Sequence, residues 1–163
     1  MTRRLILIRH AKSSWGDAAL ADHARPLNDR GRRSAPLIGR WLRERGYLPD
    51  EVLCSDAVRT RETFARLGLD APVTYVPALY HAEARDILET LRTAHRRVVA
   101  IIGHNPGMAE FARRIVALPP DHPRFGDYPT AATLVADLDT DDWENAAFGT
   151  AGAVDFVVPR DLE

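Results

Sequence analysis

Three short apolar runs in this 163-residue chain each lead straight into residues that could hold and attack an anion. Leu5-Ile6-Leu7-Ile8 leads into Arg9-His10. Glu51-Val52-Leu53-Cys54 leads into Ser55, with Arg59 about one helical turn further on. Val98 to Ile102 leads into Gly103-His104-Asn105-Pro106-Gly107. Arg25 follows the first of these exits in the polar stretch Arg25-Pro26-Leu27. Two imidazoles and several guanidiniums, with no obvious carboxylate among them, describe a site for a compact dianion, and phosphoryl fits best. A guanidinium grips two phosphoryl oxygens in a planar fork. Unit charges ~4 Å apart attract by ~4 kcal/mol at an effective dielectric of ~20, before desolvation is subtracted. Backbone N–H groups at a helix start near His104 and Asn105 would add to the preference for an anion.

His10 has the makings of a nucleophile. Neighbouring arginines disfavour a second positive charge, so its imidazole should stay neutral. Attack on phosphorus would give a covalent phosphohistidine that water then hydrolyses. Because phosphoryl transfer spreads charge over the equatorial oxygens, arginines alone could stabilise it, and neither a metal nor a cofactor is expected. His23, His81, His95 and His122 lack comparable context and are expected in surface loops. The Trp and Phe residues are expected in the core. Lys12, Ser13 and Ser14 read equally well as anion contacts or as a solvated loop.

The elements that must position these groups follow from hydrophobic patterning. The runs at 5–8 and 98–102 are unbroken rather than alternating, which suits strands covered on both faces of a parallel sheet. Glu51–Cys54 and Val73–Val76 read as further strands. Ala35, Ile38, Trp41 and Leu42 form one helical face that stops near Gly46, with Pro36 implying a start near Ser34 or a kink. A second helix follows Ser55 or Asp56 as its cap and ends near Gly68. A third carries Ala84, Ile87, Leu88 and Leu91. A fourth is expected to be capped by Asn105 with Pro106 at its first position, burying Met108, Phe111, Ala112, Ile115 and Val116. After a loop over 119–129, Thr133–Leu138 and Val154–Val158 read as an antiparallel strand pair. The expected fold is a three-layer α/β sandwich over residues 1–163, with a mainly parallel sheet and helices on both faces. In such sheets ligands bind beyond the carboxyl ends of the strands, where the three exits lie.

Composition narrows the function classes. Lys+Arg number 22 and Asp+Glu 23, for a net charge of −1, which argues against a nucleic-acid partner. The single cysteine, Cys54, excludes an internal disulfide and a Cys-rich zinc site. No apolar run approaches the ~20 residues of a membrane span, and none near Met1 suits a signal peptide. A cytoplasmic location with no membrane partner is the expectation. Lys12 is the only lysine, so an anion site here would be built from guanidinium forks.

Several segments together resemble the histidine phosphatase (phosphoglycerate mutase-like) superfamily, and most closely its short SixA-type phosphohistidine phosphatases. They are residues 5–15, from Leu5 through Arg9-His10 to Trp15, then Asp22-His23-Ala24-Arg25-Pro26-Leu27 with Gly31. Residues 55–63, Gly103-His104-Asn105-Pro106-Gly107 and Pro129-Thr130-Ala131-Ala132 continue the pattern. The resemblance implies a phosphoglycerate mutase-like fold and a metal-independent hydrolase. In it His10 would accept the phosphoryl group, Arg9, Arg59 and His104 would bind and stabilise it, and Arg25 would be a supplementary ligand. Two departures stand out. Ala11 replaces the glycine common after the Arg-His pair. No residue in Pro77-Ala78-Leu79-Tyr80-His81 matches the acidic proton donor that many members place there, and nearby Glu83 is not assigned that role.

A missing acid suits a substrate whose leaving group departs neutral, as imidazole does, better than an alkyl phosphate. The chain also lacks length for a lid, so the site should be open to a protein side chain. The leading expectation is removal of phosphoryl groups from phosphohistidine on a signalling or phosphotransfer protein. The same residues could serve a phosphomonoester phosphatase for a small metabolite. A phosphate-binding regulatory module without turnover is a third reading, disfavoured by His10. Metal ligation by His10 and His104 is disfavoured by the adjacent arginines.

Overall fold

The computed structural model describes residues 1–163. The elements in chain order are β1 (Thr2–Arg9), α1 (Asp29–Arg45), β2 (Glu51–Cys54), α2 (Val58–Leu67), β3 (Val73–Tyr75), α3 (Ala84–Leu91), β4 (Val98–Gly103), α4 (Gly107–Ile115), β5 (Thr133–Asp139) and β6 (Gly152–Val157). Short 3-10 turns lie at Asp22–Ala24, Pro77–Leu79, Trp143–Asn145 and Pro159–Leu162. The six strands form one sheet in the order β3-β2-β4-β1-β5-β6. β3, β2, β4 and β1 are parallel, β5 runs antiparallel to β1, and β6 runs antiparallel to β5. The antiparallel step therefore falls between β1 and β5 as well as within the last pair.

Burial on both faces explains the unbroken apolar runs. Leu5 and Leu7 of β1 pack with α3 and α4, alongside Ile87, Met108 and Phe111. Ile6 and Ile8 face the opposite layer, with Ile38 and Leu42 of α1 and Leu67 of α2. Period-two alternation thus feeds two separate cores, and no position from Leu5 to Ile8 is left for a polar residue.

Helix α1 begins earlier than its apolar face suggests. Asn28 accepts a hydrogen bond from the Gly31 N–H and caps a 17-residue helix that carries Pro36 in its interior and ends at Gly46 in the left-handed region (φ 73°). The expected start near Ser34 is incorrect, because the cap signal at Asn28 outweighs the one backbone bond that Pro36 removes. A Cβ at Gly31 would collide with the Lys12 carbonyl, and one at Gly39 with the Leu67 carbonyl. These two glycines let α1 lie against the loop after β1 and against the end of α2. Two cap expectations shift by a residue or two: α2 has Ala57 at its N-cap, and α4 starts at Gly107 with Pro106 at the N-cap. Ser55 and Asn105 still act just outside these helices, accepting from the Ala57 and Ala109 N–H groups.

Candidate active site

Register sets the site. Arg9 of β1 pairs with Gly103 of β4, and Cys54 of β2 pairs with Ile102, so the three strands end at one level. The next backbone donors continue the ladder: His10 N–H to Gly103 O (3.0 Å) and Ser55 N–H to Ile102 O (3.0 Å). His10 and His104 therefore emerge side by side, with ring centroids 5.2 Å apart. Three exits far apart in the chain become one edge.

His10 is 6% exposed. Its Nδ1 lies 2.7 Å from the Ala11 carbonyl, so we assign the proton to Nδ1 and the lone pair to Nε2. Burial, reinforced by the charges of Arg9, Arg59 and Arg25, lowers its pKa to about 3. The imidazole is thus a neutral base at neutral pH. The backbone beside it is held by Thr63, whose hydroxyl accepts from the Ala11 N–H (3.0 Å) and donates to the Arg59 carbonyl (2.7 Å). One helical turn separates Thr63 from Arg59, so a single side chain ties the nucleophile's loop to the start of α2.

His104 is also buried, and burial together with the neighbouring His10 and Arg59 lowers its pKa to about 3. Ser55 Oγ accepts from the Ala57 N–H (3.3 Å), which leaves its hydroxyl hydrogen for His104 Nε2 at 2.8 Å. In that arrangement Nδ1 of His104 carries the proton, and it is buried with no partner. Nε of Arg9 and Nε of Arg59 are likewise buried and unpaired. Only one other buried side-chain polar atom, Nε of Arg3, is unpaired, so three of the four orphans belong to residues at this edge. Leaving such donors unpaired costs ~1–3 kcal/mol each, and an anion bound here could satisfy them.

The arginines reach the edge by different routes. Arg59 donates from Nη1 to the Asp22 carbonyl (2.8 Å) and from Nη2 to Asp22 Oδ2 (3.1 Å). Arg25 donates from Nε to Asp22 Oδ1 (3.0 Å) and from Nη1 to Ser13 Oγ and the Ser14 carbonyl (both 3.0 Å). Arg9 donates from Nη1 to the Tyr128 carbonyl (3.2 Å). Asn105 spends its amide on the Asp127 and Tyr128 carbonyls and on the Ala109 N–H, so it braces the loop that also holds Arg9. Ser13 and Ser14 serve Arg25, while Lys12 is exposed.

Four features escaped the sequence reading. A carboxylate does sit among the guanidiniums: Asp22 bonds Arg59, Arg25 and the Tyr80 hydroxyl (2.5 Å). The Tyr80 phenol, joined by Arg59 and Arg25, holds it well below the usual carboxylate range. The i,i+3 spacing of Asp22 and Arg25 was the only local signal for it. His81 is no ordinary loop residue: it has φ 59°, lies 3.9 Å from the Tyr80 ring and shares a hollow with His104 and Glu83. His23 pairs with Asp56 (3.0 Å) and meets the edge of Tyr80 at 4.8 Å. Trp15 is not core but 74% exposed, with the Arg25 guanidinium 3.5 Å above its ring. His122, by contrast, lies away in an ion pair with Asp161. No three His, Cys, Asp or Glu side chains gather as a metal-binding group. No helix is long and apolar enough to cross a membrane.

A mainly parallel sheet with a histidine pair and arginines at its carboxyl edge defines a class of phosphoryl-handling protein. The chain belongs to the histidine phosphatase superfamily, whose branch 1 model matches residues 5–81. It is 35% identical over 160 residues to an uncharacterised protein of Mycobacterium tuberculosis, covering 94% of this chain and all of that one. A structure from Nakamurella multipartitia, provisionally named phosphohistidine phosphatase SixA, superposes with a TM-score of 0.82 at 30% identity, over 98% of this chain and 97% of that one. The protein histidine phosphatase SixA complexed with tungstate shares the fold, with a TM-score of 0.77 at 22% identity over 98% and 99% of the two chains. These matches make the protein a phosphatase of phosphoglycerate mutase-like fold.

Proposed function

We propose that this phosphatase removes phosphoryl groups from phosphohistidine on a protein, through a covalent phosphoryl intermediate on His10. The observation that carries the reading is the state of His10 itself. It is a neutral imidazole with Nδ1 held by a carbonyl, leaving Nε2 as the free base, among residues that carry three unpaired buried donors. In the first step the Nε2 lone pair forms a bond to phosphorus as the bond from phosphorus to the substrate nitrogen breaks. The electron pair leaves with the substrate imidazole. In the second step water attacks phosphorus, the bond to His10 breaks, and inorganic phosphate departs with the ring restored. Arg9, Arg59 and His104 would hold the equatorial oxygens in both steps, with Arg25 supplementing them. Asn105 would act by bracing the Arg9 loop.

Asp22 supports the choice of substrate. Held ionised by Tyr80 and two guanidiniums, it has no proton to give an alkoxide leaving group. An imidazole protonated on its other ring nitrogen leaves neutral and needs none. The exposed Trp15 ring beside Arg25 offers an apolar contact to a macromolecular surface.

The test is a rapid quench with radiolabelled phosphohistidine protein. An acid-labile, base-stable adduct on His10 that is absent from His10→Ala is expected. Faster turnover of sugar or nucleotide phosphates than of phosphohistidine would transfer the reading to a small metabolite. Intact function in His10→Ala would leave only a phosphate-binding module.

A further inference from the structure

We propose that the surface running from Arg9 across the start of α1 to the C-terminal turn recognises acidic residues flanking the phosphohistidine of the substrate protein. The proposal rests on the phosphohistidine reading above and adds a specificity determinant to it. A cavity of about 320 Å³ is lined by Arg9, Lys12, Arg30, Arg124 and Arg160, with Asp127 as its only carboxylate. Asp127 is already engaged by Arg124, at 2.9 Å. An adjoining hollow shares Arg30 and Arg160 and adds Arg33, with Glu163 as its acidic member.

The whole chain carries 22 basic and 23 acidic residues, so six cations facing two acidic residues, with Arg124 and Asp127 already paired to each other, are a local imbalance. Lys12, Arg30, Arg33 and Arg160 are exposed. None of these four takes part in an ion pair of the fold, unlike Arg32, which neighbours them on α1 and pairs with Asp29 and Glu62. Folding therefore does not account for their placement.

Arg9 connects this surface to the chemistry. It follows β1 immediately before His10, it lines the cavity, and its Nε is buried without a partner. Burial lowers its pKa, so an anion on either side would favour its charged form. Three features select an acidic polypeptide over other anions. The two hollows adjoin, which suits an extended chain better than a compact metabolite. Guanidinium forks match carboxylates in geometry. Neither hollow contains an aromatic side chain on which a base could stack.

Two phosphohistidine peptides of common sequence test it, one flanked by four glutamates and the other by four glutamines. At low salt kcat/KM should favour the glutamate peptide by about tenfold, as expected if several rim pairs each contribute a fraction of a kcal/mol. The preference should shrink as salt screens it. The triple variant Arg30→Glu/Arg33→Glu/Arg160→Glu should abolish the preference and leave glutamine-peptide turnover unchanged, which also shows that it folds. Binding of the unphosphorylated glutamate peptide gives a second readout that needs no turnover. Equal kcat/KM for the two peptides, or tighter binding of a single-stranded oligonucleotide than of the glutamate peptide, would overturn the inference while leaving the phosphatase reading intact. No turnover of either peptide, with selective binding retained, would overturn the phosphohistidine reading and uphold the acidic-chain surface.

Discussion

Asp22 and Arg59 are joined twice, through the Asp22 carbonyl at 2.8 Å and its carboxylate at 3.1 Å, although 37 residues separate them. The same carboxylate takes Arg25 at 3.0 Å. Asp22 thus aims both guanidiniums while competing with any phosphoryl group for their charge. Asp22→Asn should tighten inhibition by inorganic phosphate or vanadate severalfold, because a like charge is removed from the anion site. It should also lower kcat, because two arginines lose a fixed partner. Unchanged inhibition constants would remove Asp22 from the electrostatics of the site.

Arg59 should be hard to replace. Arg59→Ala is expected to lower kcat/KM by an amount equivalent to ~3–4 kcal/mol, the scale of a lost oxyanion donor. Arg59→Lys should recover little of this, because an ammonium cannot reproduce the fork that reaches Asp22 while leaving Nε free. Steady-state kinetics on a phosphohistidine peptide provide the measurement, and a near-normal rate in either variant contradicts the assignment.

Acid should destabilise the fold through the two site histidines. Both pKa values are lowered from 6.5 to about 3 in the folded state. Below pH 6.5 the unfolded chain takes up protons that the folded chain refuses, so the stabilisation is complete above 6.5 and is lost as pH falls toward 3. The expected loss is about 2 kcal/mol per histidine between pH 7 and pH 5. Urea unfolding at the two pH values checks it, and His10→Asn should remove about half of the dependence, His104 supplying the rest. Activity should not show an acid limb near 6.5 from His10, since its ring is already neutral there.

Tyr128 offers a test of the scaffold. It is fully buried, its hydroxyl donates to the Leu7 carbonyl, and it accepts from the Leu134 N–H at 3.1 Å. These bonds tie β1 to the start of β5 next to the carbonyl that holds Arg9. Tyr128→Phe removes both hydroxyl bonds from this buried bridge, and should cost roughly 1–3 kcal/mol in denaturant unfolding.

Much of this was legible in the chain. Leu5–Ile8 and Val98–Ile102 declare strands covered on both faces because no polar side chain interrupts them, and the sheet buries every residue of both runs but Val98, which is half-buried. Arg9-His10 and Gly103-His104 declare themselves by following those strands, since a polar residue directly after an apolar run must sit at the sheet's edge, and Arg59 is placed by the start of α2 just after β2. The residues that escaped share one property: their roles depend on contacts across the fold. Asp22 looks like any acidic loop residue until Arg59 and Tyr80 are brought to it, from 37 and 58 positions away. Trp15 looks like core until the loop after β1 leaves its ring outside, beneath Arg25. Local patterning determines which segments become strands and helices, and therefore which residues stand at the strand exits. Register, burial and hydrogen bonding between distant segments decide which nitrogen of His10 is free, which donors stay unpaired, and where an internal carboxylate sits, because these depend on distances that only the packed chain possesses.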